Sequence, residues 1–272
     1  MKKHISYRSA ELITALNANN KYFFTIQDAK DILEKSEDKA VRRLLIYMAQ
    51  KGLLFRIKDG LYHIIPYEKN SEEYFPNWHL TAEAMVQPLR YYIGFYSALE
   101  IHGLITQPSL VEQIVTERQV IPKTKMVRKV KFEFITLKRK MFFGYEKTWI
   151  DDFNKVYCSD YEKTIIDCLY KPSYGGGITE IVKAIYKIRD KINQEKIISY
   201  LNSIKSQVVI KRLGFIIQHL GILEALKREI KSKLSNSYAY LDPSLPKEGK
   251  HNSEWKIIDN SNIESAIKSI ET

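Results

Sequence analysis

The chain has 272 residues, 44% of them hydrophobic, and a formal net charge of +11, so it exceeds one typical domain and has room for two cores. No apolar run approaches the ~18 residues of a membrane span, and the start, Met1 to His4, lacks the apolar stretch of a signal peptide. Two cysteines, Cys158 and Cys168, are too few for a disulfide framework and have no neighbouring histidine set for zinc. We therefore expect a cytoplasmic protein with reduced thiols, no membrane contact, no metal and no cofactor.

Residues 25 to 52 predict two successive helices. Thr25 can cap a helix over Ile26–Leu33, and a second helix is predicted over Lys39–Gln50, ended by Gly52. An apolar stripe at helical spacing runs along the second helix, made of Val41, Leu44, Leu45 and Met48. Its opposite face and flanks carry Ser36, Lys39, Arg42, Arg43, Ile46, Tyr47 and Gln50.

A β-hairpin is predicted directly after these helices. Strands Leu54–Lys58 and Leu61–Ile65 are separated by Asp59-Gly60, a strong signal for a two-residue turn. Simple alternation predicts that one face of the hairpin carries Phe55, Ile57, Tyr62 and Ile64. The other face is then predicted to carry Arg56, Lys58 and His63.

The order helix, helix and hairpin is typical of a winged helix-turn-helix, a module that mostly binds duplex DNA. Residues 1–65 hold 12 basic and 7 acidic residues, a net charge of +5, which suits a phosphate backbone. The residues predicted to contact DNA are Ser36, Lys39, Arg42, Arg43, Tyr47, Arg56, Lys58 and His63. Glu37 and Asp38 oppose this interpretation because they lie at the helix end that approaches the bases. The alternatives are a solvated basic surface and a protein-interaction module.

A boundary is predicted near Pro66, followed by a polar linker over Tyr67–Trp78. Beyond it we predict two helices, Thr81–Leu89 and Gly94–His102. Strands are then predicted over Val111–Thr116, Val127–Thr136, Leu137–Tyr145 and Trp149–Tyr157, which together suggest a small, largely antiparallel sheet.

Five cations crowd into nine residues of this middle section without an acid: Lys123, Lys125, Arg128, Lys129 and Lys131. Such a cluster can extend a DNA footprint from the second domain. Lysines on an edge strand also protect a sheet against aggregation, so both interpretations stay open.

The remainder is predicted to be helical. Ser159 and Glu162 have the spacing of a capping box, and closing helices are predicted over Val208–Leu220 and Ile222–Leu234. The predicted fold class is therefore α+β: a winged helix-turn-helix over residues 1–66, then a larger α+β domain over 67–272 with a helical C-terminal part. A subdivision of the larger domain near residue 158 is an open alternative.

Several short motifs along the chain resemble those of the AbiEi family. They are Gly60-Leu61-Tyr62, the run from Tyr92 to Leu104, Phe142-Phe143-Gly144, Ser159-Asp160 with Glu162 to Leu169, Gly175-Gly176-Gly177, Arg212 to Phe215, and Leu241-Asp242-Pro243 with Gly249, Asn252 and Trp255. Members of this family are antitoxins of type IV toxin–antitoxin and abortive-infection modules.

The resemblance implies a transcriptional autorepressor without enzymatic activity. Its N-terminal module would bind double-stranded DNA at the promoter of its own operon, commonly at inverted repeats. Its larger domain would oppose a cognate nucleotidyltransferase-like toxin, without necessarily forming a stable complex with it.

The alternative is a nuclease or nucleotidyltransferase that uses the winged helix only for docking. Asp151, Asp152, Asp160, Glu162 and Asp167 lie close in sequence, and paired carboxylates can hold catalytic metal ions. However, capping explains Asp160 and Glu162, and the triple glycine lacks the Lys-Ser/Thr of a P-loop. No serine, histidine and aspartate set has catalytic spacing, so the sequence favours a protein without catalytic residues.

Overall fold

The chain divides into two compact units, Met1–Pro88 and Leu89–Thr272. The structure, a computed structural model, describes residues 5–34, 37–105 and 107–271. Both units combine helices with β-sheets, which confirms the α+β class. The predicted boundary after residue 66 lies inside the first unit, because the segment that follows packs against the hairpin.

The helix pair and the hairpin predicted for the first unit are present. In chain order the unit consists of α1 (Tyr7–Ala18), β1 (Phe23–Thr25), α2 (Ile26–Ile32), α3 (Asp38–Gln50), β2 (Leu54–Lys58), β3 (Leu61–Ile64) and α4 (Trp78–Val86). Thr25 caps α2 as predicted: its hydroxyl accepts from the Asp28 amide at 3.2 Å, while the Asp28 carboxylate accepts from the Thr25 amide at 2.6 Å.

The core of the first unit lies beneath the apolar stripe of α3. Val41, Leu45 and Met48 are buried there together with Leu12 and Leu16 of α1. Burial of one stripe on a helix that is polar elsewhere determines which face remains in solvent. The orientation of α3 therefore follows from its own sequence.

The strands of this unit form a sheet in the order β1-β3-β2, with β3 antiparallel to both neighbours. A β-bulge between Arg56 and Lys58 shifts the register of the hairpin. Arg56 consequently lies opposite Tyr62, and Phe55 lies opposite His63. Opposed residues of an antiparallel pair share a face, so the predicted faces of the hairpin are wrong.

The residues that follow the hairpin cover the face that carries Phe55 and His63. The ring of Phe75 lies 5.4 Å from that of Phe55, and the ring of Tyr74 lies 5.8 Å from that of His63, between centroids. The predicted linker over Tyr67–Trp78 is therefore a packed segment. It buries the face that carries Phe55 and His63, although simple alternation placed these two residues on opposite faces.

The second unit contains a six-stranded sheet with helices. In chain order its elements are β4 (Tyr91–Ile93), α5 (Phe95–Ile101), β5 (Val111–Thr116), β6 (Thr124–Val127), β7 (Val130–Thr136), β8 (Tyr145–Trp149), β9 (Lys155–Ser159), α6 (Tyr161–Tyr170), α7 (Ile178–Ile188), α8 (Gln194–Ile204), α9 (Gln207–Leu220), α10 (Glu224–Lys231), β10 (Ala239–Tyr240), β11 (Lys250–Asn252), β12 (Ile257–Asp259) and α11 (Ile263–Glu271). Short 3-10 turns lie at Arg139–Met141 and Pro172–Gly175. Within the described ranges, no helix has both the length and the apolar character needed to cross a membrane.

The large sheet is mixed rather than largely antiparallel. Its order is β6-β7-β5-β4-β9-β8, and the pairs β5–β7 and β4–β9 are parallel. The hairpins β6–β7 and β8–β9 form its two edges. The strand predicted over Val127–Thr136 is in fact two strands, because the chain turns between β6 and β7.

The tail of the second unit belongs to its core. Trp255 is fully buried, and its indole lies against Gly214 of α9, where an added Cβ would come within 1.9 Å of the ring. Ile257 of β12 and Ile263 of α11 are buried in the same cluster. The aromatic residue thus anchors the segment after Asp242 to the helices.

The buried position of His63 predicts an acid-sensitive first unit. The side chain is 8% exposed, and burial lowers the pKa of His63 to about 4. Between pH 6.5 and pH 4 the histidine is protonated in the unfolded chain but not in the folded chain. The folded state therefore loses stability as the pH is lowered through this range. We expect the free energy of unfolding to drop by about 3 kcal/mol more in the wild type than in a His63→Phe variant between pH 7 and pH 4, measured by urea unfolding.

A control for this experiment is His251→Asn, which changes an exposed histidine of the second unit and should leave the pH dependence unaltered. Parallel pH profiles of the wild type and His63→Phe would contradict the burial of a neutral imidazole.

Candidate nucleic-acid interface

The outward face of α3 carries the cations predicted to contact DNA. Lys39, Arg42 and Arg43 are exposed, and Ile46 beside them is 53% exposed. None of the three cations has an ion-pair or hydrogen-bond partner among the described residues. An uncompensated cationic helix face with one apolar side chain has the chemistry to meet phosphates and the edges of base pairs.

The beginning of α3 is less acidic than its sequence suggests. Asp38 in the first turn forms an ion pair with Lys30 of α2, which offsets its charge. Glu37 occupies the N-cap position without a capping hydrogen bond from its side chain. Ser36, also predicted to contact DNA, lies outside the described residues.

Tyr47 lies on the flank of α3, half-buried against the core. The ammonium of Lys51 lies 5.7 Å from the centroid of its ring. The ring thus lies at the border between the core and the cationic face of α3.

The hairpin contributes fewer cations than its sequence predicts. Arg56 is exposed near the tip and pairs with Asp59. Lys58 is half-buried, and its ammonium donates to the Met85 carbonyl at 2.7 Å. His63 is buried, with its ring 4.4 Å from that of Phe23, so the predicted outward position of this histidine is wrong. Lys58 and His63 still share a face, and the residues that follow the hairpin cover it.

The five cations of the middle section lie together on the β6–β7 hairpin and the residue that precedes it. Lys123, Arg128 and Lys129 are exposed, while Lys125 and Lys131 are half-buried. Lys131 lies 3.5 Å from the Glu133 carboxylate. The hairpin is an edge of the large sheet, so its position fits both a polyanion contact and protection of the edge.

The carboxylates considered for catalysis serve the start of α6. Asp160 is the N-cap and accepts from the Lys163 amide at 2.8 Å, so the predicted capping by Ser159 is wrong. Tyr200 donates to Asp160 at 2.7 Å, and the Glu162 carboxylate accepts from the Asn193 amide at 2.8 Å. These contacts tie α6 to α8.

Further along α6, a charged pair is fully buried. Lys163 and Asp167 form an ion pair one helical turn apart, and neither side chain is exposed. Tyr92 of β4 donates to Asp167 at 3.0 Å and lies 3.0 Å from the Lys163 ammonium. Burial and the Asp167 charge raise the pKa of Tyr92 well above its ordinary value. The i,i+4 spacing of a lysine and an aspartate within an apolar run is the sequence signal for this pair.

The triple glycine forms the turn into α7. Gly176 and Gly177 have φ angles of +80° and +86°, a region that favours glycine, and a Cβ on Gly176 would lie 2.7 Å from the Tyr96 ring. In the cleft beside this turn, Lys183 pairs with Glu180 at 3.1 Å. Within the described part of the chain, no group of three histidine, cysteine, aspartate or glutamate side chains is arranged to hold a metal ion.

Comparison with known proteins shows that this chain shares its fold with a solved structure. No family model matches the chain, and no curated protein matches it. The chain is similar to the crystal structure of the RV2827C protein from Mycobacterium tuberculosis, with a TM-score of 0.73 over 99% of this chain and 97% of that chain. The two sequences are 12% identical, so the likeness concerns the α+β architecture alone.

The buried pair predicts strong coupling between Lys163 and Asp167. Asp167→Leu and Lys163→Met should each destabilise the second unit by about 3–5 kcal/mol, because each leaves an uncompensated buried group. The double variant Lys163→Met/Asp167→Leu should cost less than the sum by about 2 kcal/mol or more, measured by urea unfolding. Strict additivity would contradict an ion pair at this position.

Proposed function

We propose that this protein is a DNA-binding transcriptional autorepressor and the antitoxin of a type IV toxin–antitoxin module. The observation that carries the DNA-binding half is the face of α3, where Lys39, Arg42 and Arg43 are exposed without partners among the described residues. The resemblance of the sequence motifs to the AbiEi family supports the antitoxin half. The toxin it opposes is a nucleotidyltransferase-like protein.

The first unit acts in this proposal as a winged helix-turn-helix. The helices α2 and α3 supply the helix-turn-helix, with α3 as the recognition helix in the major groove. The hairpin β2–β3 is the wing, and Arg56 at its tip is the wing residue that meets the backbone. The burial of His63 and the contact of Lys58 with Met85 make this a wing with a single exposed arginine.

Two kinds of contact contribute to the affinity for DNA in this arrangement. Cations on phosphates fix the position of the protein, whereas side chains in the groove read the bases. With about four cations at the DNA, the slope of log affinity against log salt should be about −3 to −4 for each copy. Two copies on an inverted repeat would double that slope.

The second unit carries the antitoxin function in this proposal, without a catalytic role for its carboxylates. Asp160 and Glu162 join α6 to α8 and to each other through Lys196, whose ammonium lies 3.1 Å and 3.4 Å from them. Asp167 is paired inside the core. Each of these carboxylates has a structural role that accounts for it.

Arg43→Ala tests base recognition by α3. We expect affinity for the DNA upstream of the protein's own coding sequence to fall by about 1–3 kcal/mol, and affinity for a scrambled duplex to change much less, because a guanidinium reads guanine through two hydrogen bonds. Gel shifts across a salt series measure both quantities. Arg228→Ala, which changes an exposed arginine of α10, is the matched control and should bind like the wild type.

Equal affinity of the wild type for the upstream DNA and the scrambled duplex would reject operator recognition. Salt-independent binding would reject the phosphate contacts as well.

A further inference from the structure

The β8–β9 hairpin exposes aromatic side chains to solvent. Trp149 is 58% exposed, Phe153 in the turn is 89% exposed, and Tyr157 is 37% exposed. The hairpin lies at an edge of the large sheet, since β8 is the last strand in the sheet order. Exposure of aromatic surface to water is unfavourable, so a cluster of exposed aromatic side chains on one element indicates a binding surface.

The register places aromatic and cationic side chains alternately on one face. Trp149 lies opposite Lys155, and Lys147 lies opposite Tyr157. Residues opposed in an antiparallel pair share a face, as do residues two apart on one strand, so all four lie on the same side. They form a block in which each strand contributes one ring and one ammonium.

The cations of this block lie over its rings. The ammonium of Lys155 is 4.2 Å from the centroid of a ring of Trp149, and that of Lys147 is 4.5 Å from the centroid of Tyr157. Such cation–π contacts hold the long lysine side chains flat along the surface. The positive charges are therefore kept beside the rings.

The same face continues towards β4. Tyr145 lies two residues before Lys147 on β8, and its hydroxyl accepts from the Arg90 guanidinium at 2.8 Å. This contact adds a third cation to the row. Two residues advance ~7 Å along a strand, so rings and charges recur at regular intervals over the length of the hairpin.

Of the acidic residues of the hairpin, all but one are turned away from the face with the rings or are hydrogen-bonded within the turn. Glu146 alternates to the opposite face of β8, where Cys158 is its partner in the register. The Asp151 carboxylate is occupied inside the turn, accepting from the amides of Phe153 at 2.9 Å and Asn154 at 2.7 Å. Asp152 at the exposed tip is the exception. The rings therefore lie among cations, and the Glu117 carboxylate, which accepts from the Arg90 amide at 3.2 Å, offsets part of the charge at the Arg90 end.

We propose that this face, formed by Arg90, Tyr145, Lys147, Trp149, Lys155 and Tyr157, binds single-stranded nucleic acid. Bases stack on Trp149 and Tyr157 in place of the Lys155 and Lys147 ammonium groups that lie over these rings. The displaced ammonium groups and Arg90 meet the phosphates of the sugar–phosphate chain. A flat row of alternating rings and charges suits unpaired bases, whose faces are available, rather than duplex DNA, whose bases are stacked on each other. The site belongs to the second unit, whereas α3 belongs to the first, and the proposal does not depend on operator recognition.

The test uses the full chain and two labelled single strands, oligo(dT) and oligo(rU), in fluorescence anisotropy. We expect Trp149→Ala to weaken binding of the preferred strand roughly 5- to 100-fold, because each stacked base contributes that much. The control Tyr238→Ala removes a partly exposed aromatic from another part of the second unit and should bind like the wild type. Lys147→Gln/Lys155→Gln should reduce the slope of log affinity against log salt by about 1.4.

Preference for one of the two strands identifies RNA or DNA as the ligand, and equal binding indicates a platform that ignores the sugar; each result supports the proposal. Absence of binding by the wild type, or equal binding by Trp149→Ala, would overturn it. Self-association or vesicle binding that is lost in Trp149→Ala, without binding of either strand, would also overturn it and assign the face to a second copy or to lipid.

To separate this site from α3, the same titrations are repeated with a Lys39→Ala/Arg42→Ala/Arg43→Ala variant. Single-strand binding should survive in it. Loss of single-strand binding there, with no effect of Trp149→Ala, would place the contact on α3 and contradict the proposed face.

Discussion

The first unit depends on one constraint, which is that α3 has a single apolar stripe. Val41, Leu45 and Met48 can be buried only if the opposite side of the helix faces water. Lys39, Arg42 and Arg43 are consequently held outward on a rigid element, without partners among the described residues. Side chains presented from a packed helix keep their spacing, which is what recognition of a regular polyanion requires. The proposed DNA contact follows from how the helix is anchored.

Local signals predicted much of this unit, and the departures have local causes. The cap at Thr25, the helix ending near Gly52 and the Asp-Gly turn each involve neighbours in sequence, so they could be recognised there. The bulge after Arg56 could not, because nothing in the alternation of residues marks one unpaired position. The shift exchanges the faces of Phe55 and Arg56 relative to β3, whereas His63 is buried because Tyr74, eleven residues later, packs against its ring.

The second unit shows the same division between local and long-range effects. The positions of α6 to α9 follow from apolar periodicity, and the structure confirms helices there. The parallel pairing of β5 with β7 joins two strands that β6 separates in the chain, and the periodicity of the sequence does not indicate such a pairing. Likewise, Trp255 packs on Gly214 some forty residues earlier in the chain. Lys163 forms its ion pair with Asp167 inside a core that appears in the sequence as an apolar run. Exposure of the β8–β9 aromatics also required coordinates, because apolar residues in a strand pattern are ordinarily assigned to a core.

In the function we propose, α3 binds the operator and the second unit opposes the toxin. The most direct measurement combines a reporter driven by the protein's own promoter with growth during expression of the nucleotidyltransferase-like toxin. A Lys39→Ala/Arg42→Ala/Arg43→Ala variant of the full chain should lose repression of the reporter while still restoring growth. A variant that keeps repression, or one that loses growth rescue while its folded population is unchanged, would contradict the account.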